Sequence, residues 1–226
     1  MITPQAISTE LNNIIRRLVE TGLAGDQRLS FVRPLASGCS EVTFDMADHT
    51  TVALKSNKSY SEIYENLTNN RAYVAKLPDG ALCLVRYFFN ANGLAQHSIG
   101  FFPSPNLEEF QNNPDIYTTD TLYADVLAKN IVPFPIRFDF DIDAAEEVSH
   151  PISHQTLGQY KNCRIPVSAA LTPTNFFQFI LRNFYNTAYE EFGSTLPVSS
   201  LRFPETITAS ERNVIHVQLP CRSVTY

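Results

Sequence analysis

The sequence has no glycine-rich loop to cradle a phosphate and no Gly-x-Ser-x-Gly elbow; its eight glycines are scattered. P-loop, Rossmann, kinase and α/β-hydrolase chemistries are therefore disfavoured. The four cysteines, Cys39, Cys83, Cys163 and Cys221, are far apart. That spacing excludes zinc knuckles, ribbons and CxxC redox pairs, and leaves reduced, buried thiols as the simplest expectation. No apolar run approaches the roughly 18–20 residues that span a membrane, and the N-terminal stretch MITPQAISTELNNIIRRL has no apolar signal core. A cytoplasmic chain without membrane contact is expected. Basic residues are also short, 17 Lys+Arg against 23 Asp+Glu for a net charge of −6. A broad nucleic-acid surface needs a basic patch, so only a small local anion site is compatible. Repeats, low-complexity tracts and linker-like breaks are missing too.

What is present is globular. The chain has 226 residues, 44% of them hydrophobic and 18% charged, enough to bury a core without disulfides or structural metal. Thr3 followed by Pro4 predicts a helix start, and Ile7, Leu11, Ile14, Ile15 and Leu18 continue at helical spacing to a stop at Gly22 or Gly25. Strands are predicted at Leu29–Arg33, Glu41–Met46, Thr51–Lys55, Ala72–Leu77, Ala81–Phe89 and Ala95–Phe102. The turn Pro78-Asp79-Gly80 marks a hairpin, because Pro presets φ and Gly accepts positive φ. Short helices are predicted over Ser61–Thr68 and Asp120–Lys129. Thr172 and Pro173 start a long amphipathic helix reaching Phe192 and Gly193, and Val214–Leu219 reads as a final strand. The expectation is one α+β domain over residues 1–226: a central, mainly antiparallel sheet, an N-terminal helix and a long amphipathic helix near the C-terminus.

One stretch carries chemistry. Residues 133–154 read PFPIRFDFDIDAAEEVSHPISH. Strand alternation sends Phe134, Ile136, Phe138, Phe140 and Ile142 one way and Arg137, Asp139, Asp141 and Asp143 the other. Side chains of like charge on one face need water, cations or basic neighbours. His150 and His154 are four apart, a zinc spacing on a helix, but Pro151 disfavours helix at His150. A return strand from His154 to Tyr160 would instead set His154 opposite Asp139 or Asp141. Asp139, Asp141 and His154 then suit a divalent cation such as Mg, Mn or Zn, or metal-free acid–base chemistry. Arg137 and Arg164 would hold phosphate, with His150 as orienter or second ligand. The alternative is that the strand is an ordinary solvated sheet face.

Other candidates carry less. Cys163 near His154 reads as a buried thiol rather than a nucleophile. His97 and His216 lie in strand-like runs and His49 in a turn. Val85-Arg86-Tyr87-Phe88-Phe89 mixes arginine with aromatics as RNA-binding sheets do, but no second strand repeats it, so core packing is the better expectation.

The runs HSIGFFPSPNLEEFQ, PFPIRFDFD, HPISH, KNCRIPV and TPTNFFQFILRNFY, spread over residues 70–192, resemble a bacterial family known as a domain of unknown function. That resemblance implies a bacterial cytoplasmic protein and no particular activity. More loosely, Arg137, Asp139, His150 and His154 look like the pattern of small bacterial toxin ribonucleases that pair with antitoxins. Together these lead to a phosphodiester-hydrolysing protein of bacterial stress or defence systems, with RNA or a nucleotide as substrate. The rival expectation is an accessory or antitoxin-like subunit that docks a protein partner, encoded nearby, through its acidic sheet face. A nucleotide sensor without turnover is a third.

Overall fold

The computed structural model describes residues 2–48, 58–105, 133–160 and 162–220. Helix α1 spans Pro4–Glu20, with the Thr3 hydroxyl accepting from the Ala6 amide at 3.2 Å and Pro4 in the first turn. Its stripe of Ile7, Leu11, Ile14, Ile15 and Leu18 is fully buried. Strands β1 (Asp26–Gln27), β2 (Phe31–Pro34) and β3 (Ser40–Thr43) follow. Helix α2 (Tyr60–Asn69) opens on a capping box, in which the Ser59 hydroxyl accepts from the Glu62 amide and the Glu62 carboxylate accepts from the Ser59 amide.

Then come β4 (Ala75–Lys76), β5 (Leu82–Asn90) and β6 (Gly93–Phe102), followed by β7 (Ile136–Asp141), β8 (Ser153–Leu157) and β9 (Ile165–Pro166). Among the described residues every pairing between these strands is antiparallel. The sheet order is β1-β4-β5-β6-β7-β8-β9, and β3, itself paired with β2, joins the far end of β5. The turn before β5 is the expected one: Asp79 accepts from the Ala81 amide, and Gly80 sits at φ +90°, where other residues are strained.

Helices α3 (Pro173–Phe184) and α4 (Asn186–Phe192) and a short α5 (Ala209–Arg212) complete the described elements. The fold is the expected α+β arrangement with a mainly antiparallel sheet. One sheet face packs on α1, α3 and α4 through Val85, Tyr87, Ile99, Phe101, Phe138, Phe140, Phe176 and Ile180. Each such side chain contributes roughly 1.5–3 kcal/mol of burial. On the other face α2 covers only one end, packing Ile63 and Leu67 on Leu82, Leu84 and Phe102. Beyond that end the second face turns polar.

Three expectations need correction. The long C-terminal helix is two helices, broken at Tyr185 (φ −137°, ψ 51°). At this break the Tyr185 hydroxyl donates to half-buried Asp79 at 2.6 Å. Val214–Leu219 forms no strand: Val217 makes a single parallel bridge with Val167, and Ile215 is 90% exposed. A strand needs a continuous ladder, and here Val217 alone pairs with a neighbouring strand segment, its amide with Pro166 and its carbonyl with Ser168, while the Val214 amide turns back to the Glu211 carbonyl. The strand Ala72–Leu77 shrinks to Ala75–Lys76. Thr51–Lys55, Asp120–Lys129 and Cys221 lie outside the described residues. Among those described, no helix is long and apolar enough to cross a membrane.

Candidate active site

Strand β7 builds the site by strict alternation. Ile136, Phe138 and Phe140 enter the core, while Arg137, Asp139 and Asp141 are half-buried on the polar face. Register fixes their neighbours. On β6, Ser98 lies beside Asp139, Gln96 beside Asp141 and Gly100 beside Arg137. Gly100 leaves room there, since a Cβ would come within 2.5 Å of the Phe102 ring. The Ser98 hydroxyl donates to Asp139 Oδ1 at 2.9 Å, and the Arg137 guanidinium lies 3.9 Å from Asp139 Oδ2.

On β8, His154 is the register partner of Asp139. It is 4% exposed, and its Nδ1 lies 2.9 Å from the Pro151 carbonyl oxygen. A carbonyl only accepts, so Nδ1 carries the hydrogen and the neutral ring keeps its lone pair on Nε2. Burial lowers the His154 pKa from its ordinary value. The Pro151 carbonyl and Asp139 carboxylate oppose that shift, and His150 and Arg164 add to it.

His150 stands over His154, ring centroids 4.9 Å apart. Its loop is held three ways. His150 and Glu146 exchange two backbone hydrogen bonds at 2.7 and 2.9 Å, and His150 Nδ1 lies 2.5 Å from the Ala144 carbonyl oxygen. Asp141 Oδ1 accepts from the Asp143 and Ala144 amides, and its Oδ2 accepts from Gln96. Buried Glu211 accepts from the Val148 amide at 3.4 Å while capping α5. Asp141 thus closes the β7–β8 turn.

Residues far away in sequence join the same face. Glu41 on β3 accepts from Arg33 Nη2 at 2.7 Å and from Arg86 Nε at 2.9 Å. Arg86 is the residue expected to be core packing. It is instead a charged member of the polar face, one step beyond buried Leu84 on the same side of β5, and that apolar-to-charged switch along one face was the available signal. Ser98 and Glu41 carry no such signal. Cys163 Sγ accepts from the Leu157 amide, a structural role. His97 is buried on the core face, its Nε2 accepting from the Leu171 amide. His216 is partly exposed beside the Val214 carbonyl, and His49 lies outside the described residues.

These residues line a cleft of about 1100 Å³ that includes Arg86, Arg137, Asp139, His150, His154 and Arg164. Among the described residues no three His, Cys, Asp or Glu side chains gather into a group that could hold a metal ion. The arrangement sets a neutral imidazole beside a carboxylate, with the Arg137 and Arg164 side chains lining the same cleft.

Residues 23–219 match a family described as an uncharacterized conserved protein. The chain belongs to that family, DUF2290. No curated protein and no solved structure matches it. The DUF2290 match includes the whole of the cleft, from Arg33 to Arg164, and its description carries no activity.

Proposed function

We propose that this DUF2290 protein binds a phosphodiester of RNA or a nucleotide in the cleft and hydrolyses it. The observation that carries the reading is the pairing of Asp139 with His154 in a cleft shared with Arg137 and Arg164. His154 Nε2 takes a proton from the attacking water, whose oxygen bonds to phosphorus as the bond to the leaving oxygen breaks. Asp139 stabilises the imidazolium that forms. Arg137 and Arg164 hold the phosphate oxygens and offset the charge that develops on them. His150, beside His154, returns a proton to the leaving oxygen. The bacterial stress or defence setting, in the cytoplasm, belongs to this same proposal.

The test is incubation with labelled single-stranded RNA and DNA, with and without Mn or Mg, beside Asp139→Ala and His154→Ala. Cleavage by the wild type alone supports the reading. Equal cleavage by all three proteins, or none by any, overturns it.

A second reading draws on the exposed acidic turn Asp143, Glu146 and Glu147: docking of a basic protein partner, as an accessory or antitoxin-like subunit. It predicts partner binding that weakens steeply with salt.

A further inference from the structure

We infer that the ligand of this cleft is a single-stranded polynucleotide laid across two adjoining recesses, not a mononucleotide; the inference rests on the phosphodiester reading above. The first recess, at about 1100 Å³, already lies at the top of the roughly 300–1,000 Å³ range of small-molecule sites. A second recess of about 690 Å³ adjoins it, lined by Glu146, Ser149 and Asn162. His150 and Arg164 line both. One phosphate-binding group, Arg164, and one proton-transferring group, His150, therefore stand at a junction with space on either side, while Arg137, Asp139 and His154 line the first recess beside them. A mononucleotide placed at the junction fills one side. A chain fills both, with its reacting phosphate between them.

The residues on the two sides suit a chain. In the first recess Tyr160 is 77% exposed, its ring lying against Gly158, as a stacking platform for a base. Lys58 lines the same recess, tied to this region by the hydrogen bond from Gln159 Nε2 to its carbonyl oxygen at 3.0 Å. Arg137 on β7 and Arg86 on β5 stand two strands apart on the same polar face and both line the first recess, so cationic groups are spread along it. The second recess offers the amide of Asn162 and the hydroxyl of Ser149 to the next nucleotide. A chain-long but narrow anion path also agrees with the net charge of −6, which leaves no broad basic surface for a duplex.

The experiment titrates His154→Ala with fluorescent oligouridylate and oligothymidylate of two and ten nucleotides, read by anisotropy. The decamer is expected to bind at least about ten-fold tighter than the dinucleotide. Tyr160→Ala and Asn162→Ala, each in the His154→Ala background, are expected to weaken decamer binding about five- to ten-fold and to narrow that gap. Length-independent affinity overturns the inference, as does a gap that neither added substitution alters. If the wild-type protein still cleaves dinucleotide and decamer equally well, the phosphodiester reading survives and only the chain inference falls. If nothing is bound or cleaved, both fall.

Discussion

Asp139 and His154 are register partners across β7 and β8, and the Pro151 carbonyl fixes which nitrogen of His154 carries the hydrogen. Two backbone facts, a register and a turn, thus aim the lone pair of Nε2. Neither depends on a flexible side chain. The Ser98 hydroxyl on Asp139 and the His150 ring beside His154 keep the pair in place.

The first prediction concerns the pH–rate profile. If neutral His154 is the base, activity rises with pH through an apparent pKa below the ordinary histidine value, because burial lowers it. Asp139 favours the charged form, so Asp139→Asn moves the midpoint further down. Arg164 disfavours it, so Arg164→Ala moves the midpoint up. The two substitutions act in opposite directions on pKa, while both reduce the rate, by about 10²-fold or more. Rate profiles together with proton NMR titration of the His154 ring give both quantities. Midpoints that move together would exclude His154 as the titrating base.

Much of this geometry was legible in residues 133–154. Alternation over Ile136–Asp141 is a local signal with one solution, and a return strand beginning near His154 leaves few registers. The structure sets Asp139, not Asp141, opposite His154, because the β8 strand starts at Ser153, the turn amides take Oδ1 of Asp141 and Gln96 on β6 takes its Oδ2. The Glu41–Arg86 pairing was not legible, since it joins residues 45 apart through a sheet order that no local pattern encodes. Tyr185 misled for a similar reason. The apolar stripe of α3 runs through it at helical spacing, and its hydroxyl's partner Asp79 lies 106 residues away, where no local pattern reveals it.

Stability should fall with acid below the ordinary histidine pKa. His97 is held down to about 3 by burial, from 6.5. Between those values the unfolded chain binds a proton that the folded chain refuses. The stability contribution is therefore full above about pH 6.5 and is lost as pH falls toward 3, by up to about 1.4 kcal/mol per pH unit. His154, also lowered, adds in the same direction. His97 packs between Tyr87 and Phe140, with ring centroids 5.5 and 5.6 Å away, so phenylalanine fits the slot. Urea unfolding at several pH values should show a shallower acid slope for His97→Phe, even though the Leu171 amide loses its acceptor. An unchanged slope would assign the acid sensitivity elsewhere.

Glu41 is the shared carboxylate of Arg33 and Arg86 and is buried. Removing it in Glu41→Ala leaves Arg86, itself mostly covered, without its main partner. Arg33 is more open, and water recovers part of its loss. The expected cost is about 2 kcal/mol, less than for a fully enclosed pair. Glu41→Gln, which keeps the shape and accepts one hydrogen bond, should lose roughly half of that. Thermal melts of both variants check the order. Equal melting of the wild type and Glu41→Ala would mean that the arginines find water or Asp48 at no cost.

Val148 occupies the left-handed region at φ 65°, which a β-branched side chain tolerates poorly. Such a conformation costs on the order of 1–3 kcal/mol and persists only where surrounding contacts impose it. Here the contacts are the His150–Glu146 backbone pair and the Glu211 carboxylate on the Val148 amide. Val148→Gly removes the side-chain clash and keeps the amide, at the cost of a more flexible unfolded chain. The expected net is a gain of up to about 1 kcal/mol in urea unfolding. Val148→Pro cannot adopt positive φ and removes the amide, so it should destabilise and also displace His150. The His150 effect is separable from the stability effect. Phosphodiester cleavage should survive in Val148→Gly and drop in Val148→Pro at temperatures where both remain folded, because only the proline variant moves the loop that holds His150 beside His154.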